Sequence, residues 1–466
     1  MDDEHKEKLL SRRTHLKALG GGLTVGLAGC LGGDGGGGGD GGGDGESGDG
    51  SGGSGDGGSG GDGGGGDDSG GGQVQEPIEV LTWNLSFLEE SINGWISDFE
   101  EEYGVDGKWV DKPAEDFPTY FQSQVQAGNP PDCIDTQGAL YVRYGQDGVL
   151  QPLDDLVSDD LLSRYTQSLI DLDRVDGSIY RLPFYFVNTG TVYRKQWFQD
   201  AGLEEDLPTT TEEYFSAAET IANETDAEWG MTLVRFDYAL WPFFWAEDIN
   251  VLNEDNTQAA FNQSRTVEIL TRFRELTDDG VIPELTWTQR KQPQAKEFGT
   301  GNTGMYHMWL SSVRLVANAG DWINGETMGF MAPPGGNAAY LGHGWSITND
   351  HNMATKEAAL NAIEVITNEE WQKDFLRNTT VLVGNNKAVE DLANSDQFRQ
   401  ENPLLAGVYD TWFEVADSAV PQPRIPQARQ IWDTINSQFS AAAVGETDPE
   451  TAVTNAESEV NRILSQ

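Results

Sequence analysis

Apolar positions after residue 76 switch repeatedly between the short runs of strands and the three-and-four spacing of helices. Ile78 to Trp83 (IEVLTW) predicts a strand, and Ile92, Ile96, Phe99 and Tyr103 then recur at helical spacing. Val105 to Val110 predicts a second strand. Phe117, Tyr120, Phe121 and Val125 mark another helix, closed at Gly128-Asn-Pro-Pro131, and Cys133 to Thr136 predicts a third strand. Strands alternating with helices imply an α/β architecture with a mostly parallel sheet, whose ligands sit at the carboxyl ends of the strands. Trp83, Asn84, Asp135 and Gln137 fall at such ends.

The segment Asp173 to Gly202 carries the next change of pattern. Asp176-Gly177 is a tight-turn signal, because glycine takes a positive φ at little steric cost. Ile179 to Val187 (IYRLPFYFV) predicts a buried strand, with Pro183 at an end, an edge or a bend. A separate apolar run, Thr191 to Tyr193, leads into a helix that begins at Lys195 and is closed by Gly202.

Composition bounds what this α/β region can be. The chain has 466 residues, enough for two or three domains with real cores. Residues 31–76 are dominated by Gly, Asp and Ser, which have nothing to bury, so a disordered linker is expected there. The net charge is −48; residues 1–30 contribute +1 and residues 31–72 contribute −9, which leaves −40 on residues 73–466. A domain that acidic repels itself in dilute salt and points to a salt-rich, halophilic setting. The same charge argues against nucleic acid as a partner.

The N-terminus predicts an export signal over residues 1–30. Arg12-Arg13 precedes a short apolar run, Ala18 to Gly29, that cannot span a bilayer and resembles a twin-arginine signal. Leu27-Ala-Gly-Cys30 resembles a lipobox, which makes Cys30 the lipidated residue that holds the protein on the outer face of the cell membrane. The second cysteine, Cys133, is then a buried thiol with no disulfide partner.

Five stretches in order resemble family 1 extracellular solute-binding proteins. They are Asn129-Pro-Pro-Asp-Cys-Ile, Gly148-Val-Leu-Gln-Pro-Leu-Asp-Asp-Leu156, Asp176-Gly-Ser-Ile-Tyr-Arg-Leu-Pro183, Tyr193-Arg-Lys195 and Ala201-Gly-Leu203. Phe298 to Met305 resembles the family's helix-to-strand step, Met328 to Gly335 its central strand, and Leu341 to Ile347 (LGHGWSI) its second crossing between lobes. Arg424 to Trp432 and Gly445 to Ala452 resemble its closing helices, so the likeness runs from about residue 77 to the end, toward the maltose-binding group.

The resemblance implies a two-lobed periplasmic-binding-protein-like clamp with hinge strands, each lobe a mixed sheet flanked by helices. Lobe I would hold 77–187 and 348–405 and lobe II 188–341 and 406–466, with hinges near 187–190 and 342–347. It further implies a monomeric capture subunit for a sugar or polyol, which hands its solute to ABC permease subunits served by a separate ATPase. No cofactor, metal or catalytic residue is expected. Consistent with that, no P-loop precedes a helix, and the histidines past the linker, His307, His343 and His351, lack HExxH spacing. A surface-tethered carbohydrate-active hydrolase is the alternative, although 77 Asp and Glu residues make paired carboxylates uninformative.

Sugar chemistry selects the candidate residues, since a pyranose stacks an apolar face on aromatic rings while its hydroxyls need fixed partners. The aromatic candidates are Trp83, Phe184, Tyr185, Tyr238, Trp241, Trp245, Trp309, Trp345 and Trp432. Asn84, Asp135, Gln137, Asn188, Glu247, Arg314 and Arg424 are the polar ones. Each aromatic has a packing role as its alternative. If they face the solute, replacing Trp432 and Trp241 by alanine weakens binding without unfolding the protein.

Overall fold

The computed structural model describes residues 76–466 apart from 114–115, 139, 236–237, 290 and 417. The export signal, Cys30 and the linker lie outside the described residues.

The strands are β1 (Ile78–Trp83), β2 (Gly107–Lys112), β3 (Cys133–Gln137), β4 (Arg174–Val175), β5 (Ser178–Ile179) and β6 (Leu182–Arg194), followed by β7 (Trp229–Leu233), β8 (Thr303–Trp309), β9 (Met328–Met331), β10 (Ala339–Ile347), β11 (Leu382–Val383) and β12 (Val420–Pro421). Strand order is β2-β1-β3-β10-β6-β8-β7, with β11 and β9 also on β6 and β12 on β10. β1 runs parallel to β2 and β3, and β7 parallel to β8. β10 runs antiparallel to β3 and β6, and β6 antiparallel to β8, so the sheet is mixed.

The molecule is a two-lobed α/β protein whose lobes share the strands β6 and β10. Residues 182–188 of β6 pair with β10, and residues 189–194 pair with β8 and β9. On β10, Ala339 and Tyr340 pair with β12, and from His343 onward the strand pairs with β3. A partner change on two adjacent strands is what lets one continuous sheet serve two lobes.

Two expectations change here. The predicted strands Ile179–Val187 and Thr191–Tyr193 are one 13-residue strand, β6, because Asn188, Thr189 and Gly190 are buried and paired rather than looped out. Met328–Met331 is not central: among the described residues β9 bonds to β6 alone. Other signals read directly. Asp176 (φ 50°) and Gly177 (φ 91°) both take positive φ in the β4–β5 turn, the geometry of a type I′ hairpin.

Helices cover both lobes. Glu89–Tyr103 buries Ile92, Trp95 and Phe99 and packs against Met353–Ile366 beside β1. On the other side Ala428–Ala443 buries Ile431, Trp432, Ile435 and Phe439 against Ser264–Asp278 and Pro449–Leu464. The helix Thr211–Glu224 starts with a capping box, Thr210 and Glu213 each bonding the other's backbone N–H. Cys133 is a buried free thiol that donates to the Ala359 carbonyl at 3.3 Å. No helix among the described residues is long and apolar enough to cross a membrane.

Candidate ligand site

The turn after β1 is held from the neighbouring strand. Asp111 on β2 accepts from Thr82 Oγ1 at 2.7 Å and from the backbone N–H groups of Leu85 and Ser86, both at 3.1 Å. Asn84 takes a positive φ of 55° in that turn. The clamp fixes where Trp83 leaves the sheet, and its indole lies parallel to the His343 imidazole with centroids 5.1 Å apart and planes 18° apart. On the opposite face of that imidazole lies Tyr185, at 4.0 Å and 17°. His343 Nδ1 lies 3.2 and 3.3 Å from the two oxygens of Asp135, which is buried on β3. Gln137, half-buried at the end of β3, faces His343 in the β3–β10 register. Burial raises the Tyr185 phenol well above its ordinary value, and the carboxylates of Asp135 and Asp111 add to the rise.

A β-bulge shapes this face. His343 pairs with Tyr185 and the next residue, Gly344, pairs with Pro183, so Phe184 is the extra residue on β6. Pro183 fits there because a bulge tolerates a missing donor. Phe184 is not a cleft residue: it is buried against Trp345 (4.9 Å), Phe375 (4.7 Å) and Tyr185 (5.0 Å). Trp345, expected near solute, is 0% exposed in the same cluster.

A second array stands beyond the crossing. Tyr238 stacks on Trp432 (5.1 Å, 25°) and takes Trp309 edge-on (5.4 Å, 85°). Trp241 lies 5.5 Å from Trp432 and 6.3 Å from Trp245. The Tyr238 hydroxyl donates to the Tyr340 carbonyl on β10. Opposite Tyr340 on β6 is Asn188, whose Nδ2 donates to the Thr189 carbonyl at 3.2 Å. Tyr340 and His343 are three residues apart on one strand, so the two arrays meet the crossing roughly 10 Å apart.

His307 on β8 supports the second array from beneath. Its Nε2 lies 2.8 Å from the Ala239 carbonyl, which can only accept, so Nε2 carries the proton. Nδ1 then accepts from Thr191 Oγ1 at 3.0 Å. Burial pulls this imidazole down to about 4, with the Ala239 carbonyl opposing. The residue beside Ala239 is Tyr238, so His307 pins the segment that presents the array.

The structure brings the aromatic candidates together but places most of them inside. Tyr238, Trp241 and Trp432 are each at most 1% exposed, while Trp309 and Trp245 are also buried. One feature sets the tryptophans apart. The indole N–H groups of Trp83, Trp345, Trp241 and Trp432 are buried without a hydrogen-bond partner among the described residues. A buried indole N–H ordinarily finds an acceptor, because leaving it unpaired costs about 1–3 kcal/mol.

The charged candidates go elsewhere. Glu247, two residues beyond Trp245, pairs with Arg265 at 3.1 Å. Arg314 donates through Nη2 to the carbonyls of Arg377 (3.0 Å) and Thr379 (3.3 Å). Burial lowers its guanidinium, with Tyr409 opposing. Arg424 donates through Nη1 to the carbonyls of Asp171 (3.1 Å), Leu172 (3.4 Å) and Arg174 (3.4 Å), at the end of the helix Gln167–Leu172. Both arginines thus join segments far apart in the chain, Arg424 from an exposed position and Arg314 from a half-buried one. Sequence reasoning missed His343 and Asp111. The one available signal was His343 itself, a lone imidazole between two glycines in a chain with five histidines.

Two cavities lie away from these arrays or at their edge. One of about 20 Å³ sits in the first lobe between Leu85, Ile92, Trp95 and Phe184. A wider one of about 590 Å³ opens between β9 and the helix Pro403–Val415, where Arg399 is already paired with Asp410 at 2.6 Å.

The model of a family described as bacterial extracellular solute-binding protein matches residues 94–406. The chain belongs to that family. This solute-binding protein is 24% identical to the galactooligosaccharide-binding protein of Bacillus subtilis (strain 168) over 393 residues, 81% of this chain and 87% of the relative. An ABC substrate-binding protein of Listeria monocytogenes, solved in complex with cycloalternan, superposes with a TM-score of 0.69 at 21% identity, covering 84% of this chain and 99% of the other. UgpB of Mycobacterium tuberculosis, solved with glycerophosphocholine, superposes with the same TM-score of 0.69 at 17% identity, covering 84% and 99%. At these identities the likeness is one of fold, and the two structures hold solutes of different chemistry.

Proposed function

We propose that the protein is the solute-capture subunit of an ABC importer, that its solute is a mono- or oligosaccharide, and that it binds without turning the solute over. The observation that carries the saccharide reading is the set of four unpaired indole N–H groups, Trp83 and Trp345 on one side of the crossing strands and Trp241 and Trp432 on the other. Trp83, half-buried, offers a ring face for a pyranose, and the indole N–H groups of Trp345, Trp241 and Trp432, each at most 1% exposed, are donors that a solute reaches where the lobes part. The names of relatives that bind galactooligosaccharide and cycloalternan agree with this chemistry. A glycerophosphodiester is the less favoured solute, because the two candidate cations, Arg314 and Arg424, are bonded to backbone carbonyls. A hydrolase is also less favoured: Asp135 is engaged by His343 and Glu247 by Arg265, in different lobes.

The capture mechanism is ligand-biased closure. Solute touching both arrays favours the arrangement in which the lobes approach, with β6 near residues 187–190 and β10 near 342–347 as the hinges. The expected lobes are 77–187 with 348–405 and 188–341 with 406–466. A lipid on Cys30, export by the twin-arginine route and function in concentrated salt complete the reading; the −40 charge on residues 73–466 supports the last. The test is calorimetric titration of maltose, galactobiose, cycloalternan and glycerophosphocholine in molar potassium chloride, with chromatography of the incubated sugars. Saturable binding of a sugar with no product is expected. Release of hydrolysed sugar, or binding of glycerophosphocholine alone, overturns it.

A further inference from the structure

We propose that His343 is itself a solute contact, presenting Nε2 as an acceptor for a solute hydroxyl, with Asp135 setting the tautomer. The inference rests on the saccharide-capture reading above. A carboxylate oxygen accepts, so the proton of the neutral ring sits on Nδ1, which lies 3.2 and 3.3 Å from the Asp135 oxygens. Nε2 is left with its lone pair and has no partner among the described residues. His307, 0% exposed, shows the alternative, a partner on each nitrogen, whereas His343 is buried but keeps 6% exposure. The ring of His343 cannot swing to find a partner of its own, because Trp83 and Tyr185 lie flat against its two faces at 5.1 and 4.0 Å.

His343 shares its face of β10 with Leu341 and Trp345, and the flanking glycines clear the opposite face for Arg181. A Cβ on Gly344 would meet Arg181 Cγ at 2.4 Å and the Leu182 carbonyl oxygen at 2.5 Å. A Cβ on Gly342 would meet the Tyr340 hydroxyl at 2.8 Å. Arg181 lies across this backbone, donating to the carbonyls of Thr136 (3.2 Å) and Gly342 (3.0 Å), and so holds the strand that carries His343. The partner chemistry follows: a hydroxyl donor is accepted, and a deoxy or O-methyl analogue at that position leaves Nε2 desolvated and unpaired.

The experiment uses the intact folded protein with diethyl pyrocarbonate, which acylates an unprotonated and accessible imidazole nitrogen, read out by peptide mass spectrometry. Faster modification of His343 than of His307 is expected, together with protection by a mixture of maltose, galactobiose and cycloalternan. Two variants separate contact from packing. His343→Asn keeps a donor for Asp135 and cannot reach the Nε2 position; His343→Gln carries an oxygen near that position. With thermal melting confirming that both fold, His343→Asn should weaken binding of these sugars about tenfold or more and His343→Gln should recover most of it. Equal sluggishness of His343 and His307 toward the reagent overturns the proposal, as does unprotected His343 when calorimetry shows that a sugar is bound. Should none of the sugars bind the wild type, the saccharide reading fails, while preferential modification of His343 still supports a presented Nε2.

Discussion

The two aromatic arrays use the same residue types and are built on opposite plans. Around His343 the rings are layered face to face, Trp83 and Tyr185 are half-buried, and the polar supports, Asp111 and Asp135, come from neighbouring strands. Around Tyr238 the rings meet by face and edge in the interior of the second lobe, and the supporting His307 has both nitrogens occupied. The difference separates two jobs. In the first array recognition can be altered without opening the core; in the second, each tryptophan carries packing along with any contact to solute.

The largest expected effect lies at the base of the first array. Arg181 is buried with Asp173 as its ion partner and lies over the Tyr141 ring at 4.1 Å. Burial raises the Asp173 carboxyl, and Arg181 opposes that rise. Arg181→Met leaves this carboxylate buried alone and should cost about 3–5 kcal/mol in urea unfolding, whereas Arg181→Met with Asp173→Leu should restore much of it. A single variant as stable as wild type would show that the pair does not hold the crossing.

Next comes a direct comparison of the arrays. Trp432→Ala should cost about 3–5 kcal/mol because the side chain is fully interior, and Trp83→Ala, half-buried, less than about 2 kcal/mol. The expectation that Trp432 and Trp241 could be removed together without unfolding therefore does not survive their burial. Equal losses for Trp432→Ala and Trp83→Ala would remove the distinction between the arrays.

What the sequence made legible follows the same division. Alternation, turn signals and the motifs around Asp176, Tyr193 and Leu341 placed the crossing strands, because local backbone preferences and their order decide those elements. The bulge at Phe184 was not legible, since it depends on register against β10, more than 150 residues away in sequence. Nor was the fate of Arg424, whose acceptors belong to carbonyls about 250 residues earlier. Residue type named the right chemistry for Arg314 and Arg424, but only tertiary contacts decide whether a donor meets a solute or a backbone.

Acid should discriminate the arrays through His307. Its folded value, about 4, lies below the ordinary 6.5, so the unfolded chain binds a proton that the folded one refuses. The stabilisation is present above pH 6.5 and is lost as pH falls toward 4, by up to roughly 3 kcal/mol. Urea midpoints of wild type and His307→Gln across that interval should differ in slope, the variant losing less. Parallel slopes would mean that His307 is not what ties the Tyr238 segment to β8.

The smallest effect concerns Arg424, which lies outside both arrays and joins the segment after β12 to the end of the helix Gln167–Leu172. Its side chain is exposed, so the three carbonyl contacts are screened, and Arg424→Ala should lower stability by roughly 1 kcal/mol or less. Because the guanidinium already bridges these segments, sugar affinity should change by less than about threefold and the change should shrink in concentrated salt. A loss of tenfold or more that persists at high salt would put Arg424 in contact with solute and make the first lobe's array larger than the rings around His343.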